Sequence, residues 1–240
     1  MQVPTHAPPP PPAPPANRPA PAAPWLRTAL TLGILGFTVV VLVAADWRPL
    51  LDVDRSVANR LHARALAHPG WTETNRVLTD WVWDPVTMRL VLLAAAVWVW
   101  LRRERLLAVW CVATAAVSTG VQQGLKALLD RERPHWRHPV DSAHFAAMPS
   151  GHAMTAAVVS VLVVWLVQRS GADRPLRVLV IVAACVSVAG VCLTRAALGV
   201  HWLTDTLVGA LLGAALAAAS AGTWNAAMEK GSRRSGTATG

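Results

Sequence analysis

The sequence predicts an all-α membrane protein built as a bundle of six transmembrane helices. Its 240 residues are 54% apolar with a mean hydropathy of +0.40, which is far more apolar than a soluble domain of this length. Runs of roughly 18 to 25 apolar residues, enough to cross a bilayer, recur along the chain. We place the spans at residues 26–46, 86–101, 105–129, 151–168, 176–197 and 203–224, of which the second is short and contains Arg89.

Tryptophans support these boundaries, because an indole ring prefers the headgroup region, where its N–H stays hydrated. Those expected at span ends are Trp25, Trp47, Trp98, Trp100, Trp202 and Trp224. Trp110 and Trp165 fall inside spans, and we expect them to fill space in the core.

The two ends of the chain are predicted to lie outside the bundle domain, residues 25–225. Residues 1–24 hold eleven of the eighteen prolines, which predicts a disordered leader, with a ligand for a proline-binding partner as the alternative. Val43-Ala44-Ala45 resembles a signal-cleavage site, but the apolar stretch before it is nearer membrane length, so we expect no cleavage. Residues 226–240 are predicted to be a basic, flexible tail.

The distribution of charge and cysteine excludes two classes of protein. The net charge of +9 arises from 22 basic and 13 acidic residues, and the basic ones gather at span ends without a basic face of interleaved aromatics. We therefore expect no nucleic-acid partner. Cys111, Cys185 and Cys192 all fall within spans, which argues against a disulfide framework or a zinc knuckle.

Residues 50–67 precede the second span and predict an amphipathic helix. Leu50, Val53, Val57 and Leu61 recur at helical spacing, with arginines mostly away from them. Such a helix either lies on the membrane surface or packs over the bundle as a lid, and the sequence leaves both open. No internal repeat is visible, which weakens a transporter built from inverted repeats.

Ionisable residues at membrane spans are costly and therefore candidates for function, and the first cluster of them closes the third span. Lys126 and Arg133 are seven residues apart, close to two helical turns, before Pro134 ends the helix. The alternative is a snorkelling lysine paired with Asp130 and a solvated arginine.

The second cluster, Pro149-Ser150-Gly151-His152, opens the fourth span. Pro149 and Ser150 predict a helix start with a capping hydroxyl, and Gly151 lets a ligand approach the backbone. The free N–H groups of a first helical turn favour an anion, with His152 at the rim. A plain capped helix start is the alternative.

The third cluster joins the fifth and sixth spans and contains Arg195, His201 and Asp205. His201 and Asp205 are four residues apart, hence on one helical face, where the carboxylate can hold the imidazole tautomer. A break near Gly199 is needed to bring Arg195 to the same place. An interfacial histidine beside an acid is the alternative.

Counting spans puts all three clusters on one side of the membrane. Three cations, backbone donors, two histidines and a carboxylate are together what phosphoryl transfer without a metal requires. We therefore predict that the clusters meet in one anion pocket.

These ten motif residues, from Lys126 to Asp205, resemble the three signature motifs of the type 2 phosphatidic acid phosphatase (PAP2) superfamily in order and spacing. The resemblance covers about residues 50–225 and implies the PAP2/vanadium-haloperoxidase type of helical fold. One departure is Thr194, which stands where the family usually has serine.

The resemblance also implies a role for each site residue. His201 would attack phosphorus and become a transient phosphohistidine, Asp205 would orient it, and His152 would protonate the leaving group. The residues implied to bind phosphate are Lys126, Arg133, Ser150, Gly151 and Arg195. No cofactor and no metal are expected, although His135, His138, Asp141 and His144 crowd one loop.

We expect the protein in the cell membrane with an outward-facing site, because arginines concentrate in the short loops on the other side. The expected partners are membrane lipids and a lipid phosphate substrate: phosphatidic acid, phosphatidylglycerol phosphate or a polyprenyl diphosphate. The alternatives are a lipid-linked phosphotransferase and a non-catalytic transport or assembly protein. A haloperoxidase is disfavoured, because those relatives are soluble. The sequence leaves the oligomeric state open.

Overall fold

The computed structural model describes residues 21–237, with side chains described through residue 232. Within that range the chain forms helices and loops without a strand. The helices are α1 (Ala22–Ala44), α2 (Arg48–Ala67), α3 (Pro69–Val77), a π-helical turn (Leu78–Val82), α4 (Pro85–Leu101), α5 (Arg105–Leu129), α6 (Gly151–Arg169), α7 (Arg174–Ala197) and α8 (Leu203–Thr237).

Six helical segments are long and apolar enough to cross a membrane, which confirms the predicted fold class and the six spans. They are Ala22–Ala44, Pro69–Leu101, Arg105–Leu129, Gly151–Arg169, Arg174–Ala197 and Leu203–Ser232. The second is longer than predicted, because α3 and the π-helical turn lead into α4 with little interruption.

The predicted leader falls outside the described residues except for 21–24, and residues 22–24 already belong to α1. At the other end, α8 continues to Thr237, past the predicted end of the span at 224. Residues 226–237 are therefore helical where we expected a flexible tail.

Short capping motifs fix where helices α4 and α7 begin. Asp84 accepts hydrogen bonds from the N–H groups of Val86 and Thr87, and Pro85 occupies the first helical position of α4. Asp173 caps α7 in the same way through the N–H of Leu176. A carboxylate at a helix N-terminus also complements the helix dipole.

Helices α6 and α8 form the centre of the bundle. About half of each span is buried, 56% and 50% respectively, against 6% for α7 and 11% for α1. Gly209 and Gly213 of α8 are four residues apart, and a Cβ atom on them would lie 2.6 Å from the Ser150 carbonyl oxygen and 2.5 Å from that of Met154. These glycines therefore allow the two backbones to touch, as small residues do in membrane helix pairs.

Helix α2 packs over one end of the bundle, against α7 and α8, instead of lying free on the surface. Its buried residues are Asp54, Ala58, His62 and Ala65. The predicted apolar stripe borders the packed face, since Val53 is 49% exposed while Leu50, Val57 and Leu61 are half-buried. The face is chosen by polar contacts instead, because Asp54 hydrogen-bonds to Thr204 of α8.

The tryptophans inside the bundle follow the prediction with one exception. Trp165 is buried and its indole N–H donates to the Asn225 side chain at 3.3 Å. Trp224, expected at the headgroup level, is instead buried, with its ring 5.8 Å from that of Trp110. The reason is the greater length of α8, which places Trp224 inside the span.

Replacing Gly213 with alanine should destabilise the bundle by roughly 1–3 kcal/mol, because the new methyl group overlaps the Met154 backbone. Thermal unfolding of the purified protein in detergent measures the effect. Gly124→Ala in α5 is the matched control, since no atom lies within 4 Å of its Cβ position. Equal melting temperatures for the two variants would contradict the close α6–α8 contact.

Candidate active site

The three sequence clusters meet at one end of the bundle, where α5 and α7 end and α6 and α8 begin. They surround a cavity of about 230 Å³. The predicted site residues that line it are Lys126, Arg133, Gly151, His152, Arg195 and His201. Ser150 and Asp205 lie directly behind this lining and are fully buried.

His201 occupies the turn between α7 and α8. Gly199 has a φ of +69°, which breaks the helix as the sequence predicted and turns the chain back toward α8. The Gly199 carbonyl accepts a hydrogen bond of 2.9 Å from the Trp136 indole, which ties the turn to the loop before α6. His201 itself is 2% exposed.

The partners of His201 define its tautomer. Its Nε2 lies 3.2 Å from the Arg133 Nη1 atom, and an arginine can only donate. Nε2 is therefore the unprotonated nitrogen of the neutral ring, and Nδ1 carries the hydrogen. The Nδ1 atom lies 3.5 Å from the Asp205 Oδ2 atom, toward which its hydrogen points. The other nitrogen, the basic Nε2, is left for the cavity side.

The surroundings of His201 favour the neutral ring. Burial, followed by the charges of Arg133, Arg195 and Lys126, holds the pKa of His201 well below its ordinary value of 6.5. A neutral imidazole is the form that has a nucleophilic lone pair.

The Asp205 carboxylate is fixed by two groups that the sequence clusters do not include. Its Oδ2 atom accepts a hydrogen bond of 2.8 Å from the N–H of Trp202, and its Oδ1 atom accepts one from the Arg131 guanidinium. The Asp205 carbonyl also accepts the N–H of Ser150 at 3.0 Å. This last bond joins the second and third clusters through their backbones.

Lys126 and Arg133 converge as predicted, but by a different route. Helix α5 ends at Leu129, with Asp130 in the left-handed region at φ +38°, so Arg133 lies in the following loop. The Lys126 ammonium donates to the Ala146 carbonyl. Arg133 donates to the carbonyls of His144, Phe145 and Val200. Lys126 is thus held beside Arg133 and does not pair with Asp130.

Arg195 is a buried cation with a distant counterion. It is 5% exposed, its nearest carboxylate oxygen is that of Asp141 at 3.9 Å, and its Nε atom has no hydrogen-bond partner in the described structure. Thr194 beside it is also buried, and its hydroxyl bonds back to the Val191 carbonyl. Thr194 is therefore not part of the cavity lining.

Two details of the α6 start differ from expectation. Ser150 stands at the N-cap, but its hydroxyl makes no capping bond and has no partner within the described part of the chain. Gly151 is approached by the Gln122 side chain, whose Nε2 atom would lie 2.6 Å from a Cβ atom. Gln122 also lines the cavity, so it adds an amide that the sequence analysis did not identify.

The histidine-rich loop before α6 does not gather into a metal site. Among residues 21–237, no group of three or more His, Cys, Asp or Glu side chains is placed to hold a metal ion. Asp141 of this loop faces Arg195, and Trp136 of the same loop stacks on His62 of α2 with ring centroids 3.9 Å apart.

The depressed pKa of His201 predicts loss of stability in acid. Below about pH 6.5 the unfolded histidine binds a proton that the folded one does not, so the free energy of unfolding falls by up to about 1.4 kcal/mol per pH unit. We expect the melting temperature to drop between about pH 7.5 and about pH 5, and to drop less in His201→Gln. His62, whose pKa is also lowered by burial, contributes to the drop in both proteins. His135→Gln, an exposed position in the neighbouring loop, is the control, and an identical pH slope in all three proteins would refute the assignment.

Comparison with known proteins agrees with this fold. The chain is similar to the crystal structure of a transmembrane PAP2-type phosphatidylglycerolphosphate phosphatase from Bacillus subtilis, with a TM-score of 0.71 and 19% identity over 85% of this chain and 96% of that chain. No curated protein matches the sequence. The model of the PAP2 superfamily matches residues 106–229, more than half of the chain and a range that includes all three clusters. The chain therefore belongs to the PAP2 superfamily.

Proposed function

We propose that this protein is a lipid phosphatase that hydrolyses phosphomonoester or diphosphate groups through a phosphohistidine at His201. The observation that carries the proposal is the buried Nε2 atom of His201, unprotonated and 3.2 Å from Arg133, in a cavity with two further cations and a second histidine. A phosphoryl group that binds these cations therefore lies next to the nucleophilic nitrogen.

In the first step, the lone pair of His201 Nε2 forms a bond to phosphorus, and the bond from phosphorus to the leaving oxygen breaks. His152, which becomes protonated beside the bound phosphate dianion, gives its proton to that oxygen, so the leaving group departs as a neutral alcohol or as a protonated phosphate. The phosphorylated ring is cationic, and its Nδ1–H faces the Asp205 carboxylate, which stabilises that charge.

In the second step, water attacks phosphorus, and His152, now neutral, accepts the proton of that water. The bond between phosphorus and Nε2 breaks, which restores the neutral imidazole and releases inorganic phosphate. Lys126, Arg133 and Arg195 supply the positive charge that stabilises the equatorial oxygens in both steps. The Gly151 N–H of the α6 start adds a neutral donor in the lining, and the Ser150 hydroxyl, which has no partner in the described structure, lies directly behind it as a second.

A lipid substrate is supported by the depth of the cavity. Gln122 and Gln123 line it, and they precede the end of α5 by six or seven residues, or roughly 10 Å along the helix. Gln123 is also exposed on the outside of the bundle. The cavity wall thus reaches lipid, so a phosphate can enter while its acyl or prenyl chains stay in the bilayer.

Phosphate release from phosphatidic acid, phosphatidylglycerol phosphate and a polyprenyl diphosphate by the purified protein tests the function. We expect release from at least one of them, inhibition by vanadate, and a loss of at least about 10³-fold in His201→Ala, because the nucleophile is removed. The structural neighbour makes phosphatidylglycerol phosphate the first lipid to try. His135→Ala should keep wild-type activity, and full activity in His201→Ala would refute the mechanism. Transfer of the phosphoryl group to an added alcohol, without free phosphate, would identify a phosphotransferase.

We further propose that the site faces outward across the cell membrane. The turn between α4 and α5 lies at the end of the bundle away from the site. It carries three arginines in four residues, which favours the cytoplasmic side for that end. In a variant with its three cysteines replaced, a cysteine at Ser142 should react with a membrane-impermeant maleimide in intact cells, whereas one at Arg103 should react only after lysis. The reverse pattern would place the site inside.

A further inference from the structure

Arg131 occupies a half-buried position between two carboxylates from different helices. Its Nη2 atom lies 2.8 Å from the Asp54 Oδ2 atom of α2, and its Nη1 atom donates to Asp205 Oδ1 and, at 2.7 Å, to the Thr204 hydroxyl. The Arg131 side chain is 13% exposed, while those of Asp54 and Asp205 are 1% and 0% exposed. A guanidinium holding two buried carboxylates at once is a rigid, directional contact.

Arg131 stands on the opposite side of Asp205 from the phosphate cavity. It does not line that cavity, but lines a separate one of about 530 Å³ between the ends of α1 and α5 and helix α2. The two carboxylate oxygens of Asp205 therefore have different partners. Oδ1 is bound by Arg131, and Oδ2 faces His201 Nδ1 and accepts the Trp202 N–H.

Asp54 completes the network and connects it to α2. Its Oδ1 atom accepts the backbone N–H of Thr204 at 3.0 Å, and its Oδ2 atom accepts the Thr204 hydroxyl. Thr204 directly precedes Asp205, so α2 is fastened to the first turn of α8. The carboxylate that faces His201 is thus held from the side by one cation and along the chain by Asp54.

We propose that Arg131 is a positioning residue for catalysis: it orients the Asp205 carboxylate so that Oδ2 holds His201 Nδ1–H, and Asp54 of α2 holds Arg131 in turn. This inference rests on the proposed function of His201 as the nucleophile. Without Arg131, the Asp205 side chain loses its Oδ1 partner, and two buried carboxylates lose the cation between them. The phosphate-binding groups keep their places.

Steady-state kinetics of Arg131→Lys and Arg131→Gln test this role on the lipid phosphate that the wild type hydrolyses. Because Arg131 acts on the nucleophile and not on the phosphate, we expect kcat to fall by about tenfold or more in Arg131→Gln, and by less in Arg131→Lys. KM and the inhibition constant of inorganic phosphate should stay within about twofold of wild type. A rise of both constants in parallel with the loss of kcat would overturn the proposal, since Arg131 would then bind phosphate.

A double-mutant cycle separates positioning from a general structural effect. On the background of Asp205→Asn, which already weakens the support of His201, Arg131→Gln should reduce kcat by less than about twofold. Losses that multiply would overturn the proposal, because Arg131 would then act independently of Asp205. If the wild type releases no phosphate from any lipid, the proposed function itself fails, and that result is distinct from either outcome of the cycle.

Folding is controlled separately, because Arg131→Gln leaves buried negative charge. Adding Asp54→Asn removes one of those charges, and the double variant should elute as a single species in detergent with a melting temperature near that of Asp54→Asn. Arg55→Gln, an exposed arginine of α2 that pairs with Asp52, is the matched control and should keep wild-type kcat. If all the Arg131 variants fail to fold, the positioning role is overturned in favour of a purely structural one.

Discussion

The site depends on the contact between the backbones of α6 and α8. Gly209 lies against the Ser150 carbonyl, and the Ser150 N–H donates to the Asp205 carbonyl at 3.0 Å. The helix start that carries His152 and the helix start that carries Asp205 are therefore fixed to each other directly. Side-chain packing alone tolerates shifts of several tenths of an ångström, whereas two touching backbones joined by a hydrogen bond do not. Misplacement on that scale is costly in catalysis.

Around this contact, the cations are arranged with little nearby negative charge on the cavity side. Lys126 and Arg133 donate to main-chain carbonyls, and Arg195 has its nearest carboxylate oxygen at 3.9 Å. The carboxylates that are closely paired, Asp54 and Asp205, lie behind His201, where both bind Arg131. This separation leaves the cavity positive, which suits a phosphate dianion and the transition state in which its charge is spread over the equatorial oxygens.

The spans and the cavity residues could be predicted from the sequence because they depend on local signals. Apolar length gives the spans, and the order and spacing of ten residues give the motifs.

The role of Arg131 could not be predicted, because its partners Asp205 and Asp54 are 74 and 77 residues away in the sequence. Its position two residues before Arg133 is equally typical of a solvated loop arginine. The buried face of α2 escaped for a related reason, since an apolar stripe indicates burial in lipid as well as in protein. Only the tertiary contact of Asp54 with Thr204 decides which side turns inward. Ser150 fits a capping pattern, but a pattern does not reveal that the hydroxyl points elsewhere.

The pairing of Arg133 with His201 has a consequence for discrimination in a crowded membrane. In the proposed mechanism, the His201 nitrogen that attacks phosphorus is also the acceptor for the Arg133 guanidinium that binds phosphate, so its lone pair is engaged for as long as the arginine has no better acceptor. A phosphate dianion is a better acceptor than a neutral imidazole, and in drawing the arginine onto its own oxygens it uncovers the atom that will attack it. Neutral lipids, however abundant, offer no such exchange. Phosphate binding and exposure of the His201 nitrogen then occur together, so the surrounding membrane lipids that cannot draw Arg133 away do not react.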